Sequence, residues 1–501
     1  MRRYLLLSTS LLAVAACSDS LPLETSAAPS LSAASAPAAS RYAVLLKGGA
    51  TKFAEQAAAL GGTVELLHER SGIAIVSGLS DAAALALGAN SSVDMLVEDF
   101  QYQGAANLIE PMVEMATGTS IVADVQSQTN PATAAFYARQ WHLRAIGADV
   151  AWAKGRLGSP AVDVFILDSG IDQTYIDLSG LVDMSRAKSF VPSDDVLIAR
   201  FFPGRAATSD LNGHGSHVAS TVASRALANA GVTSRVTLVP VKVLGATGSG
   251  SFTGILNGLL YAADQQADVV NASVGALFPR RGEHDFTKLL NAVTRYARQA
   301  GVTVVVAAGN EGAQLHPSQN ALYGAFCSTQ NVICVSATGP NAGPLNGPWT
   351  GMDRPAIYSN YGQQHVDVAA PGGNYALNAK GEVVSAIGVW AACSKTTLVF
   401  DKTLRPAAQP PEEEEPKGDW KLHQCAAQPQ FTFTLGNLGT SMASPHVAGL
   451  AALLVEQYGR NPGAITDAIQ SSADDVLEFG KPGMDDFFGH GRINIVRALG
   501  L

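Results

Sequence analysis

Three short segments carry side chains able to combine acid–base and nucleophilic chemistry. The first is Asp168-Ser169-Gly170, which follows the apolar run Val162 to Leu167 (VDVFIL). A carboxylate there stands at the carboxyl end of a buried strand, where open α/β sheets place their sites. Taken alone, it also fits a turn Asp before Gly. The second is Asn212-Gly213-His214-Gly215-Ser216-His217-Val218-Ala219, followed by helix formers. Glycines on either side of His214 allow close backbone approach, and the imidazole lies at a helix start. Two histidines three apart hint at a metal, but the spacing is not His-Glu-x-x-His and no acidic base lies between them. The third is Gly439-Thr440-Ser441-Met442-Ala443-Ser444-Pro445-His446-Val447-Ala448-Gly449, running into Leu450 to Tyr458. It puts Ser441 at the start of an apolar helix, where unpaired N–H groups and the positive dipole end suit a developing oxyanion. An N-cap serine would look the same. Each segment is ambiguous singly; together they supply the parts of nucleophilic catalysis.

The elements that must position these residues follow from the apolar pattern. From about Phe136 to Leu501, short β-branched runs recur at Thr237 to Val243, Val269 to Ala272, Val302 to Ala307 and Val332 to Ala337. Helical segments are expected at Gly215 to Arg225, Thr253 to Gln266 and Phe286 to Gln299. This alternation predicts an α/β fold, a mostly parallel sheet with helices on both faces, over residues 136–501. Residues 41–100 read differently. Strands at Arg41 to Lys47, Thr63 to Glu69, Gly72 to Val76 and Val93 to Val97 enclose helices at Thr51 to Leu60 and Ser80 to Ala89, with Ser80 a candidate N-cap. The order βαββαβ is that of a small α+β, ferredoxin-like module. Residues 101–135 are polar and punctuated by Gly104, Gly118, Asn130 and Pro131, which reads as a linker holding the maturation region.

The chain has 501 residues, room for two to four domains. Charged residues are 15%, below the roughly 25% of ordinary globular chains, which excludes a highly charged disordered protein. Lys and Arg total 33 against 42 Asp and Glu, net −9, so there is no general basic footprint for nucleic acid. Beyond the first twenty residues no uninterrupted apolar run is long enough to span a bilayer. Arg2 and Arg3 followed by the apolar run Tyr4 to Ala16 predict a secretory signal peptide over residues 1–16. Val14-Ala15-Ala16-Cys17 resembles the bacterial lipoprotein box, in which the cysteine is acylated. Ser18 rather than Asp after it points, by the same resemblance, to the outer membrane. Residues 18–40 are Ser/Ala/Pro-rich and read as a flexible tether. Four further cysteines in an exported chain suggest two disulfides. Three pairings are open, and the sequence-local one, Cys327–Cys334 and Cys393–Cys425, is expected. The absence of any Cys-x-x-Cys pair argues against a zinc knuckle.

Asp168, His214 and Ser441, in that order and with those flanks, resemble the subtilisin-like serine proteases (subtilases, peptidase family S8); the chain order is known from subtilisin itself. The resemblance covers about Gln140 to Leu501, and the 41–100 module resembles the inhibitory propeptide of such enzymes. It implies a serine endopeptidase in which Ser441 attacks the peptide carbonyl, His214 carries the proton and Asp168 orients the imidazole. His217 and His446 are then structural. Asn310, in Ala307-Ala308-Gly309-Asn310-Glu311-Gly312, matches the oxyanion asparagine. Ser273-Val274-Gly275 matches the strand edge that pairs with substrate backbone, and Gly248-Ser249-Gly250 resembles another wall of that cleft. The implied partners are polypeptide substrates and the chain's own propeptide, with membrane attachment through Cys17 before maturation. No cofactor is required by this chemistry. The family often binds structural calcium, whose ligands the sequence does not single out.

The sequence departs from the pattern between Pro371 and Ser441, a stretch about twice the usual length. Its Pro410-Pro411-Glu412-Glu413-Glu414-Glu415-Pro416 run argues for a solvated loop, bracketed by an insertion at about 393–425 that Cys393 and Cys425 would staple. An acidic flap favouring basic substrates, or a calcium site, are the functional alternatives for this run. For the whole chain, the competing reading is a catalytically silent envelope lipoprotein that only binds peptides, a role needing none of the three reactive groups. An esterase is disfavoured, since no Gly-x-Ser-x-Gly elbow surrounds Ser441.

Overall fold

The computed structural model describes residues 40–48, 52–104, 108–115, 129–275, 277–279, 283–315, 322–404 and 418–501. The expected signal peptide, Cys17, the expected tether up to residue 39 and the acidic run Pro410 to Pro416 lie outside the described residues. Among those described, no helix is long and apolar enough to cross a membrane.

The N-terminal module forms as its pattern predicts. Strands β1 (Arg41–Leu46), β2 (Thr63–His68), β3 (Ile73–Ser77) and β4 (Val93–Glu98) make one antiparallel sheet in the order β2-β3-β1-β4. Helices α1 (Phe53–Ala59) and α2 (Asp81–Gly88) contribute Phe53, Ala57, Ala84 and Leu87 to its core. Ser80 caps α2, accepting from the Ala83 N–H at 3.3 Å.

The linker carries regular structure that its sequence does not announce. Residues 101–135 contain two strands, β5 (Gln101–Gln103) and β6 (Met112–Met115), and a 3-10 turn at Pro131–Thr133. Strands of three and four residues are too short to show a period. Their partners also lie far along the chain, so nothing local signals them.

The large sheet comprises β7 (Asp163–Asp168), β8 (Lys188–Ser189), β9 (Thr237–Lys242), β11 (Val269–Ala272), β12 (Thr303–Ala307), β13 (Ile333–Thr338) and β14 (Val368–Pro371). A short strand, β10 (Ser249–Ser251), lies outside it and pairs with β5. The seven strands are all parallel, in the order β14-β13-β12-β11-β7-β9-β8. Strand β7 explains the continuous apolar run. Val164 and Ile166 enter one core and Phe165 and Leu167 the other, all four fully buried. Helices α3 (His214–Val222), α4 (Phe252–Asp264), α5 (Glu283–Gln299) and α6 (Thr440–Tyr458) cover the faces. The chain leaves β7 for β8 and β9 on one side and returns to β11 on the other. The carboxyl ends of β7 and β11 are therefore the switch point, the place where such sheets carry their sites.

Both expected disulfides are present, Cys327–Cys334 and Cys393–Cys425. The second closes a segment between β15 (Val389–Ala392) and β18 (Phe433–Asn437) that carries the hairpin β16 (Leu398–Asp401) and β17 (Asp419–Leu422). It packs with Phe433 and Leu435 of β18, the strand leading to Ser441. Closing a loop of 32 residues removes unfolded-chain entropy. The C393S/C425S double variant, made with S441A to keep the chain intact, should therefore lose about 3–4 kcal/mol in urea unfolding if chain entropy dominates.

Candidate active site

Asp168 ends β7 and is fully buried. Its Oδ1 accepts the Ser169 N–H at 2.7 Å and lies 2.8 Å from Nδ1 of His214. With Nδ1–H donating to the carboxylate, Nε2 is the nitrogen left to act as a base. Burial works against the imidazolium, but the charge and hydrogen bond of Asp168, joined by the charge of Asp210, outweigh it. The His214 pKa is accordingly raised above the ordinary 6.5.

Asp210, which sequence reasoning missed, holds His214 in place. Its Oδ1 accepts the Gly213 N–H at 2.7 Å and the Ser169 hydroxyl at 2.8 Å, and its Oδ2 accepts the Ser216 N–H at 2.8 Å. Ser169 Oγ in turn accepts the Gly215 N–H at 2.9 Å. One carboxylate thus satisfies orphan donors at the N-terminus of α3 and ties it to the end of β7. Gly213 takes φ 95°, and an added Cβ at Gly215 would overlap the Gly170 carbonyl, so the close approach needs both glycines. An acid four residues before a helix-start histidine was the available signal. Beneath it, the buried Lys242 donates to the Ser169 and Ser209 carbonyls at 2.6 and 3.1 Å and pairs with Asp194.

Ser441 is the second residue of α6, after the N-cap Gly439, so it is not a capping serine. Pro445 lies within this helix and cannot donate to the Ser441 carbonyl. Ser273 Oγ makes that bond instead, at 3.0 Å, anchoring the reactive turn to the end of β11. The Ser441 hydroxyl rests 3.4 Å from the Ser273 carbonyl, and among the described residues no hydrogen bond joins it to His214. Catalytic hydrogen bonds commonly form or tighten only when substrate is bound. Asn310 follows β12. Its Oδ1 accepts the N–H and the hydroxyl of Thr440 at 2.8 and 2.9 Å. Thr440 N–H can only donate, so the oxygen is assigned and Nδ2 is the group left to donate.

Of the sequence-matched walls, Ser249–Ser251 carries a strand partner, the chain's own β5. Ser273 and Val274 are buried, and Gly275 packs against the backbone of Gly309. The other two histidines make buried structural contacts. His217 Nε2 donates to the Val389 and Leu435 carbonyls at 3.0 and 3.1 Å, and burial lowers its pKa to about 4. His446 Nδ1 donates to the Met442 carbonyl at 2.8 Å, so its Nε2 accepts from His142 at 2.7 Å; burial brings it to about 3. Among the described residues, the one His/Cys/Asp/Glu cluster close enough for a metal is Cys393, His423 and Cys425, and its thiols are joined in a disulfide.

The model of the subtilase family matches residues 159–491. The chain belongs to the subtilase family. It is with that a serine endopeptidase by class. It is 32% identical over 356 residues to a thermophilic serine proteinase of Bacillus sp. strain AK1, covering 70% of this chain and 64% of that relative. Against thermitase of Thermoactinomyces vulgaris the identity is 29% over 367 residues, 73% of this chain and 97% of thermitase. Among solved structures, the epidermin leader peptide processing protease of Staphylococcus aureus shares the fold. Its TM-score is 0.61 at 18% identity, covering 92% of this chain and 98% of that one.

NMR titration of the His214 ring in the S441A chain should give a midpoint above 6.5. Replacing Asp168 with Asn removes the larger opposing charge and leaves only that of Asp210 against burial, so the midpoint should fall. No change between the two would refute the electrostatic account.

Proposed function

We propose that this chain is an exported precursor that cuts its own linker and then hydrolyses extended or unfolded polypeptide through an acyl-enzyme. Ser441 Oγ attacks the peptide carbonyl carbon while His214 Nε2 takes its proton. The carbonyl becomes an oxyanion between the Ser441 N–H and Asn310 Nδ2. Collapse breaks the C–N bond, and His214 gives the proton to the leaving amine. Water then enters by the same base to release the acid. Asp168 keeps Nδ1–H pointed inward and stabilises the imidazolium without taking its proton. Calcium has no step here.

The observation that carries the reading is the course of the chain's own linker. Strand β5 pairs antiparallel with β10, Gln103 opposite Ser249, and the Gly104 N–H donates to the Gly248 carbonyl at 3.1 Å. Tyr102 is buried, and burial, with the charges of Glu311 and Asp168, raises its pKa well above 10. The linker leaves along β6, which pairs with β18 from Met112 opposite Gly436. An extended peptide held by main-chain pairing first to β10 and then to β18, the strand that leads to Ser441, has the form of a bound substrate. The 41–100 module supports this course. Asp99 accepts the Thr253 N–H at 2.9 Å at the start of α4, and Arg70 donates to Asp264 at 2.7 Å at its end. We place self-cleavage between residues 104 and 110, ahead of Glu110. Acylated Cys17 lies upstream of that cut, so processing frees the protease from its anchor.

S441A should accumulate at full length and fail to label with a fluorophosphonate. N-terminal sequencing of the wild-type mature form should begin between residues 105 and 110, in the soluble fraction. Mature, active enzyme that starts at Cys17 and pellets with membranes would overturn the release. N310A should lower kcat by about 10²–10³ with KM little changed, a magnitude known from subtilisin's own oxyanion asparagine.

A further inference from the structure

Beside His214 opens a cavity of about 540 Å³ that the steps above do not use. Gly213 and His214 form one wall, and Leu435 and Asn437 of β18 another. Ala246 and Thr247 close a third side, and the described part of the 393–425 segment supplies polar Ser394, Thr397 and His423 beside the rings of Phe400 of β16 and Trp420 of β17. Their rings meet edge to face at 5.4 Å, and Phe400 is 44% exposed. Scattered exposed apolar side chains are ordinary. Here they converge on a concave site next to the reactive imidazole, which is how a recognition pocket is built.

The linker shows which part of a substrate this pocket faces. Glu110 and Pro111 line it, and they follow Gly104 and precede β6. The cavity therefore lies on the path of residues after the cut. Strand β6 is held on both faces. An added Cβ at Gly388 or Gly436 would come within 3.0 or 3.1 Å of Met112 Cε, so the missing side chains make its seat. Val113 and Met115 pack on the Cys393–Cys425 cluster, and Glu114 pairs with Arg139. A strand so held keeps its place on β18 after processing and covers the edge that an incoming chain would otherwise pair with. Beyond the cut, recognition passes from backbone to side chain.

We infer that this cavity is a specificity pocket for a bulky apolar side chain just after the scissile bond, built by the 393–425 segment and flanked by the enzyme's own N-terminal strand. The inference rests on the protease reading above. It is tested with internally quenched peptides identical up to the cut and carrying either Leu or Phe, or Gly, immediately after it. Wild-type enzyme should favour the bulky peptides by about ten- to a hundredfold in kcat/KM. Phe400→Ala and Trp420→Ala should each bring the ratio toward one, and Trp420→Phe should keep most of it. Equal rates on all peptides would overturn the pocket, while the hydrolysis itself would uphold the site. Cleavage of none would overturn both. A preference that persists in either alanine variant, shown folded by circular dichroism, would also overturn the assignment.

Discussion

A carboxylate with no access to solvent, bonded to an imidazole, is the constraint on which the rest of the structure depends. A polar group buried there needs partners, and Ser169 N–H and His214 Nδ1 supply them to Asp168 Oδ1. The partnership demands that the start of α3 lie against the end of β7. Two features meet that demand. Glycines remove the side chains that would keep the backbones apart, and Asp210 bonds both elements at once. The histidine is therefore placed by the helix it begins, and the helix is placed by a second acid that never touches the imidazole.

Ser441 is held by a different device. A proline inside α6 withdraws the donor that the Ser441 carbonyl would normally meet, and Ser273 takes its place from the neighbouring strand end. The reactive turn is thus fixed to the sheet by a bond that an uninterrupted helix would have kept to itself. Asn310 is fixed similarly, because Thr440 fills its carbonyl oxygen and leaves the amide nitrogen directed outward. These groups stand on β7, β11, β12, α3 and α6, so their geometry is set by rigid elements.

The chain's own linker and insertion shape the ground around this centre. The module before the protease fold meets both ends of α4, and its tail lies on β10. On the far side β6 completes a three-stranded sheet with β15 and β18, against the disulfide that closes the 393–425 segment. A segment that reads as surplus length in the sequence forms a wall of the cleft.

The sequence by itself determined the class of fold and singled out the segments of Asp168, His214, Ser441 and Asn310, and among three open cysteine pairings it favoured the one the structure contains. Strand β7 is apolar on both faces, glycines flank His214, and the run around Ser441 is long and distinctive; these are local patterns that survive in one dimension. Asp210 was not legible, because an acid near a helix start is common and only the tertiary fold shows what it bonds. Strands β5 and β6 were read as linker, since three or four residues carry no period and their partners lie more than a hundred positions away. The resting direction of the Ser441 hydroxyl, and the cavity between β16, β17 and β18, were likewise decided by packing. They depend on how distant segments face one another, and no pattern along the chain records that.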